Sequence, residues 1–202
     1  MTKLNLSQIN DCDKGYFIGL FLGDGSFNKG KKTNRFFVRF ALDAKRDSDI
    51  ASHLSHIFGK AGKKMSLFQW KSNIIAKVCS KELVDYIQQI IVYEKCSIGK
   101  REKILISKEN WSVDFKYGII AGIIDSDGHV HKHLGTEIKT VSNEIFKAIS
   151  SLFNELNVRV NTKVSTAPEN SFSKQPRYVI YVPSQEMKRH SNNIHSQIPL
   201  GL

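Results

Sequence analysis

Two widely separated segments of the chain are apolar on nearly every side. Residues 17–25 read FIGLFLGDG and residues 120–128 read IAGIIDSDG, so each segment ends in an Asp-Gly pair. Glycine recurs at every fourth residue in both segments, and positions with this spacing share one face of a helix. A helix that is apolar all round is buried. The pattern therefore predicts two buried helices with stripes of small residues, at Gly15, Gly19 and Gly23 and at Gly118, Gly122 and Ser126.

Repeated glycines inside a helix need a structural reason, because each costs about 0.5–1 kcal/mol relative to alanine. Small residues allow two helix backbones to approach closely. We therefore expect the two helices to pack together through Gly15, Gly19, Gly118 and Gly122. This packing would bring Asp24 and Asp127 together at one end. The alternative, two unrelated buried segments, does not explain why glycine, acid and flanking residues match together.

The order of polar and apolar residues after the first Asp-Gly pair repeats after the second. Alternate apolar residues at 36–42 predict a half-buried strand, and Ile50, Leu54 and Ile57 have helical spacing. The other predicted elements are a hairpin at 26–34, strands at 64–71, 73–80, 129–133, 136–141, 158–165 and 177–183, and helices at 81–91, from 142 and at 185–193. The sequence thus predicts an α+β fold with two αββαββα half-domains, residues 1–96 and 111–202, and a basic linker at 97–110.

Charge narrows the class of partner. The chain has 30 Lys and Arg residues against 19 Asp and Glu residues, for a formal charge of +11 and a pI near 9.6. Such an excess indicates a nucleic-acid partner. The apolar runs are too short to span a bilayer, and the first residues lack the apolar core of a signal peptide. Cys12, Cys79 and Cys96 have no CxxC spacing and predict reduced thiols in an intracellular compartment.

Antiparallel strands with helices on one side leave the other side of the sheet uncovered. The side chains expected there are of the types that read base edges and hold phosphates. The set is Arg39, Asp43, Lys45, Gln69, Lys71 and Lys77 in the first half, and His129, His131, His133, Lys139, Arg159, Asn161, Lys163 and Arg177 in the second. Any single member also fits an ordinary solvated strand, so the prediction rests on the whole face.

The series His129, His131 and His133 also suggests zinc. Alternate strand residues point the same way, about 7 Å apart, which places the three rings poorly for one ion. No nearby cysteine completes a structural zinc set. Contact with DNA or simple exposure is therefore the favoured interpretation.

The paired segments resemble the signature of the LAGLIDADG homing endonucleases, in the single-chain form that carries both copies. In that family the acid before the final glycine binds metal, and both copies keep it, as Asp24 and Asp127. The first copy departs from the family string, because Leu22 stands where the second copy has Asp125. The resemblance implies two sheets that form a DNA-binding saddle around the packed helices.

The resemblance also implies a set of site residues. The metal ligands are expected at Asp24, Gly23, Asp127 and Ser126, and oxygen ligands suit Mg²⁺, with Mn²⁺ or Ca²⁺ as other occupants. Family members place basic residues around the metal-bound water. Lys45 matches one such position and Lys77 resembles another, while Lys139 lies near the equivalent of Lys45 and Tyr181 takes the place of Lys77. Simple phosphate contact is the alternative role for these lysines.

The predicted function is that of a monomeric, site-specific endonuclease acting on double-stranded DNA. Two aspartates that share divalent cations with the scissile phosphates can activate water and stabilise the leaving oxygen. The family implies cleavage of both strands across the minor groove of a long asymmetric target, with short 3′ overhangs. Two alternatives stay open: an RNA maturase that assists intron splicing on the same fold, and a non-catalytic DNA-binding regulator.

Overall fold

The computed structural model describes residues 3–30, 35–95, 101–106, 110–131, 134–166 and 176–194. The helices are α1 (Asp11–Asp24), α2 (Ser48–Lys60), α3 (Lys81–Gln88), α4 (Val113–Asp127), α5 (Asn143–Glu155) and α6 (Ser184–His190). The strands are β1 (Gly25–Gly30), β2 (Arg35–Asp43), β3 (Ser66–Trp70), β4 (Asn73–Val78), β5 (Ile91–Lys95), β6 (Arg101–Leu105), β7 (Gly128–His131), β8 (Gly135–Thr140), β9 (Asn161–Ser165) and β10 (Arg177–Pro183). In this part of the chain, no helix is long and apolar enough to cross a membrane.

The two halves have the same sheet topology. Strands pair in the order β1-β2-β4-β3 in the first half and β7-β8-β10-β9 in the second, and all of these pairs are antiparallel. Each sheet follows directly from one of the two glycine-rich helices, α1 or α4. The predicted α+β class and the pseudo-symmetric repeat are confirmed.

Local sequence explains where most of the helices begin. The side chain of Asn10 accepts a hydrogen bond from the Asp13 N–H at 2.7 Å and so caps α1. Serine does the same for three further helices, at Ser80, Ser112 and Ser142. Such N-caps satisfy backbone donors that have no partner within the helix.

One face of each sheet packs against helices. In the first sheet Val38, Phe40 and Leu42 are completely buried, in agreement with the predicted alternation. In the second sheet Ile138 and Ile180 are buried on the same side as each other, because they pair directly in register. On the opposite face, side chains such as Arg39 and Lys139 are exposed.

The helix seam is the contact between α1 and α4 through Gly15, Gly19, Gly118 and Gly122. A Cβ atom built on Gly19 would overlap the carbonyl oxygen of Ile119, and one built on Gly122 would overlap that of Tyr16. The Cβ atoms of Gly15 and Gly118 would meet backbone carbonyls in the same way. The backbones therefore touch directly, and this contact is the structural reason for the glycines.

A hairpin of β5 and β6 joins the halves, and the sequence did not predict it. Residues 101–105, inside the predicted linker, pair with β5, and α3 ends at Gln88 rather than at residue 91. Ile91 and Leu105 are buried, and Tyr93 packs edge-on against Phe27 at 5.4 Å. Charged residues in 101–103 obscure the apolar positions of this strand. The division of the chain at residues 96 and 111 stays a prediction.

Candidate active site

Asp24 and Asp127 end α1 and α4 at the same end of the helix seam. A Cβ atom built on Gly23 would lie 3.0 Å from Oδ2 of Asp127 and would overlap the side chain of Ser126. The two helix ends therefore meet at the acids. The carbonyl end of a helix carries partial negative charge, so carboxylates placed there are unfavourable without a cation nearby.

Both acids are costly to ionise at this site. Burial raises the pKa of Asp24 to about 7, with further increases from the charges of Asp127 and Asp47 and an opposing effect from Lys103. The Asp127 side chain is partly exposed, yet the protein atoms packed around its carboxylate raise its pKa as well. A pair of crowded carboxylates of this kind is stabilised by a bound cation.

The ammonium group of Lys103 is a positive charge of the protein itself at this site. Its Nζ atom donates hydrogen bonds to the carbonyl oxygens of Phe21 at 2.7 Å, Leu22 at 2.9 Å and Gly23 at 3.2 Å. These carbonyls belong to the last turn of α1, where the helix runs out of its own backbone donors, although the Phe21 carbonyl also accepts the Gly25 N–H. Burial lowers the pKa of Lys103 to about 8, whereas the charges of Asp127 and Asp24 act in the opposite direction.

The sequence did not single out Lys103 as a site residue. It places Lys103 in a basic linker, and only the β5–β6 hairpin carries it to the end of α1. No local motif marks this position, because the hairpin is oriented by contacts with distant parts of the chain.

A cavity of about 870 Å³ lies beside Asp24, between the two halves. Its lining includes Asp43 and Arg46 from the first half and His129 from the second. The Asp43 carboxylate accepts the backbone N–H groups of Lys45 at 2.8 Å and Arg46 at 3.1 Å, which orders this turn. Arg46, which the sequence did not single out, lines the cavity, whereas the predicted Lys45 is exposed outside that lining.

A second cavity, of about 400 Å³, lies beside Asp127. Lys139 and Arg177, both predicted, line it together with Asp127. Lys139 also pairs with Glu137, at 2.6 Å between Nζ and Oε2. This arrangement places two cationic side chains beside the second acid.

Lys77 and Tyr181 lie elsewhere on the sheets. The Nζ atom of Lys77 stands 4.5 Å from the centre of the Phe37 ring, and Lys77 lines a cavity that includes neither acid. The Tyr181 hydroxyl donates a hydrogen bond to the carbonyl oxygen of Leu134. A phosphate contact therefore suits Lys77 better than a catalytic role.

Strand register sorts the predicted DNA-contacting residues of the first sheet. Arg39 pairs with Lys77 on the uncovered face, and its Nε atom donates to Ser26 Oγ at 2.7 Å. Lys71 lies in the turn after β3 with a positive φ of 56°. Gln69 pairs with Ile74, which pairs with buried Leu42, so it lies on the helix-packed face. The two-residue period of the strand thus removes Gln69 from the predicted DNA face.

The second sheet carries most of its predicted set on the uncovered face. The residues that lie there, by register, are His129, His131, Lys139, Asn161, Lys163 and Arg177. Arg159 is an exception: its backbone N–H donates to Glu186 of α6, and it lines a cavity with Asn154 and Arg189 on the helix side. His133 lies outside the described residues.

His129 and His131 are the histidines of the predicted zinc series that the structure describes. The rings of His129 and His131 contact each other edge to face, 4.5 Å between centres. Across the described ranges, no group of three or more His, Cys, Asp or Glu side chains is arranged to hold a metal ion by itself. A site at Asp24 and Asp127 therefore needs further oxygen ligands from the backbone or the substrate.

Known proteins resemble the chain both in part of its sequence and in its fold. Residues 107–197 match the family model for homing endonucleases. No curated protein matches the sequence significantly. The structure is similar to that of I-DmoI in complex with DNA and Mn, with a TM-score of 0.64 and 16% identity over 93% of this chain and 99% of that one. The chain has the fold of a single-chain LAGLIDADG homing endonuclease.

Two further comparisons agree with this assignment of the fold. I-DmoI in complex with DNA and Ca gives a TM-score of 0.66 and 18% identity, over 94% of this chain and 93% of that one. The full-length DUF199/WhiA protein from Thermotoga maritima gives 0.58 and 15%, over 94% of this chain and 57% of that one. The resemblance seen in the paired LAGLIDADG segments is confirmed, and it extends over both halves.

Proposed function

We propose that this protein is a site-specific endonuclease that hydrolyses both strands of a long, asymmetric DNA duplex. The observation that carries the proposal is the meeting of Asp24 and Asp127 at the ends of two packed helices, between two sheets with uncovered cationic faces. The similar fold of I-DmoI, which has been crystallised with DNA and with Mn, Ca or Mg, supports the same activity here.

The residues at the seam fit a divalent cation. The carboxylates of Asp24 and Asp127 and the carbonyl oxygens of Gly23 and Ser126 are hard oxygen donors, the type that suits Mg²⁺. The Gly23 carbonyl accepts from Lys103 but has a second lone pair. When bound, such an ion supplies an activated water and stabilises negative charge on the phosphate. Mg²⁺ is therefore the proposed cofactor.

The protein's own side chains bind and orient the duplex. Arg46 beside Asp24, and Lys139 and Arg177 beside Asp127, are placed to hold the phosphates that flank each cut. Lys103 holds the end of α1 and so orients Asp24. One chain supplies both acids, so we propose that the active form is a monomer.

Substitution of the two acids tests the proposal. A randomised duplex library is incubated with the protein and Mg²⁺, and the cut sequences are recovered. We expect Asp24→Asn and Asp127→Asn to abolish double-strand cleavage of these sequences and to retain their binding. Asp114→Asn is the matched control, because Asp114 is an exposed acid in the first turn of α4, at the opposite end of the helix. Double-strand cleavage by the doubly substituted protein would contradict the mechanism.

The same experiment separates the alternatives. Metal-independent enrichment of a bound duplex without any cleavage would assign a non-catalytic DNA-binding role. A protein that neither cuts nor retains any duplex but binds intron RNA would be assigned as a maturase.

We also propose a reducing compartment for the protein. Cys12 and Cys79, the cysteines that the structure describes, are free thiols, and burial raises the pKa of Cys12 to about 11. A thiol with a raised pKa reacts slowly with oxidants and suits a structural role.

A further inference from the structure

The uncovered faces of the two sheets differ in chemistry at equivalent positions. In the first sheet, register places Ala41, Ile75 and Phe68 side by side across β2, β4 and β3. Trp70 follows two residues after Phe68 on the same face. These four residues, Ala41, Phe68, Trp70 and Ile75, are called the apolar patch below.

The second sheet has polar residues where the first has most of its apolar patch. Lys139 and Lys163 flank Val179 on the uncovered face, as Ala41 and Phe68 flank Ile75. Ser165 pairs with Arg177 in the place where Trp70 pairs with Asn73. The two halves therefore offer a partner different contacts at equivalent positions of the two sheets.

One end of the apolar patch lies beside the cavity that Asp24 lines. Ala41 and Asn73 line the same cavity as Asp24, and Trp70 pairs with Asn73. The patch is also open to solvent, because Trp70 is 64% exposed and Phe68 46% exposed. Large exposed rings beside a charged active site indicate a surface that is covered in a complex.

The surroundings of the patch select DNA as the covering molecule. Arg39 and Lys77 continue the same face away from Asp24, and Lys71 lies in the turn beside Trp70. The protein carries a charge of +11, which complements a phosphate backbone. A ring at this place therefore faces the bases, while the cations around it face the phosphates.

Among the bases, thymine alone presents a methyl group in the major groove, and apolar side chains contact it. Phe68 and Trp70 are alternate residues of one strand, about 7 Å apart, which spans about two base-pair steps. We propose that the half-site under the first sheet has thymines next to the cut and that Phe68 and Trp70 recognise their methyl groups. The half-site under the second sheet is read by hydrogen bonds at the equivalent positions. This inference rests on the proposed endonuclease function.

Chemical substitution of the DNA tests the inference. Sequences cut from the randomised library are expected to show thymine enrichment next to the cut on one side only. Deoxyuridine lacks the C5-methyl group, so replacement of these thymines is expected to reduce cleavage about fourfold per methyl group. The same replacement in the other half-site is expected to leave the rate unchanged.

Protein variants identify the side chains. Phe68→Ala and Trp70→Ala are expected to remove the difference between thymine and deoxyuridine. Leu67→Ala is the matched control, because Leu67 is 50% exposed on the same strand but lies on the helix-packed face, in register with Ala76. It is expected to keep the full fourfold difference.

The outcomes separate this inference from the proposed function. Cleavage without thymine enrichment, or with an equal deoxyuridine effect in both half-sites, overturns the inference and leaves the endonuclease intact. Failure to cut any sequence in the library overturns the endonuclease itself. If Trp70→Ala weakens binding of single-stranded RNA more than binding of the selected duplex, the patch is a base-stacking surface and the inference is wrong.

Discussion

Along the helix seam each half contributes a glycine to the same kind of contact, Gly19 against Ile119 and Gly122 against Tyr16. Near the acids the halves differ. Asp125 of α4 accepts a hydrogen bond from the Tyr16 hydroxyl at 2.7 Å, whereas Leu22 has the equivalent position in α1. A contact between backbones has no room for a side chain in either half. Positions around it can diverge, and the asymmetric target that we propose requires that they do.

The ends of the two helices show the same contrast. Lys103 donates to the last carbonyls of α1, whereas Ser126 Oγ donates to the carbonyls of Gly122 and Ile123 within α4 itself. The carbonyls at the end of α1 therefore accept from an ammonium group, whereas those near the end of α4 accept from a neutral hydroxyl. The charge of Lys103 lowers the pKa of both acids, and Asp47 is a further charge that raises the pKa of Asp24. Asp24 and Asp127 therefore have different charged neighbours, so we expect unequal rates for the two strand cuts.

The largest expected effect comes from filling the seam. Gly122→Ala places a Cβ atom against the Tyr16 carbonyl oxygen and 2.5 Å from the Leu20 nitrogen. These are backbone atoms and cannot rotate away, so we expect a loss of about 3 kcal/mol or more in the free energy of unfolding, as for a severely overpacked core. Urea denaturation followed by circular dichroism measures this loss.

The control for the seam is a glycine that touches nothing. A Cβ atom built on Gly59, in α2, has no neighbour within 4 Å. Gly59→Ala is therefore expected to stabilise the protein by up to about 1 kcal/mol. A similar loss of stability in both variants would mean that the seam is not the origin of the effect.

A smaller effect is expected from pH, through Asp24. Its pKa of about 7 in the folded protein lies above the ordinary aspartate value of 3.8, so the folded state holds the proton more tightly. The stability from this proton is complete below about pH 4 and is lost as pH rises through 7. Asp24→Asn should lack this decline, and Mg²⁺ should restore stability above pH 7. Unfolding curves at a series of pH values test both; an identical pH dependence in the variant would be the contrary result.

Removal of the Lys103 charge tests how this ammonium group affects the end of α1 and the acid there. Lys103→Met keeps the apolar stem and removes three partly buried hydrogen bonds to backbone carbonyls, so we expect a loss of about 1–3 kcal/mol in the free energy of unfolding. The charge of Lys103 lowers the pKa of Asp24, and its removal should shift the pH dependence of cleavage to higher pH.

The matched control for this variant is Lys147→Met. Lys147 is an exposed lysine of α5 that pairs with Glu144 at 3.1 Å, and its loss should change the stability by about 0.5 kcal/mol or less. An unchanged pH profile in Lys103→Met would contradict the electrostatic role.

Patterns with a local physical cause were read correctly from the sequence. Glycine spacing predicted α1 and α4, and alternation predicted β2, because each pattern reports which side of its own element is buried. Ser142 predicted the start of α5, because its side chain accepts a hydrogen bond from the Ile145 N–H and caps the helix.

Features that depend on distant contacts were missed. Gln69 is exposed and polar, yet the register of β3 turns it to the helix side. Lys103 was assigned to a linker because nothing nearby in sequence reveals that its strand crosses to the end of α1. Arg46 was missed because an Asx-type turn at Asp43 directs it, rather than the neighbouring Lys45, to the cavity. Site residues placed by tertiary contacts have no local signature.

The smallest predicted effect concerns the buried pair that exists in one half only. Tyr16→Phe removes the hydroxyl that donates to Asp125, and we expect a loss of about 1 kcal/mol in the free energy of unfolding, because Asp125 has other interactions. Asp125→Leu gives the second half the residue that Leu22 provides in the first, but it leaves the Tyr16 hydroxyl without this acceptor. We therefore expect Asp125→Leu to lower the free energy of unfolding more in the unmodified protein than in the Tyr16→Phe variant. A double-mutant cycle measures this coupling. Additive losses would mean that the Tyr16–Asp125 contact is energetically neutral, and that the halves differ there in sequence alone.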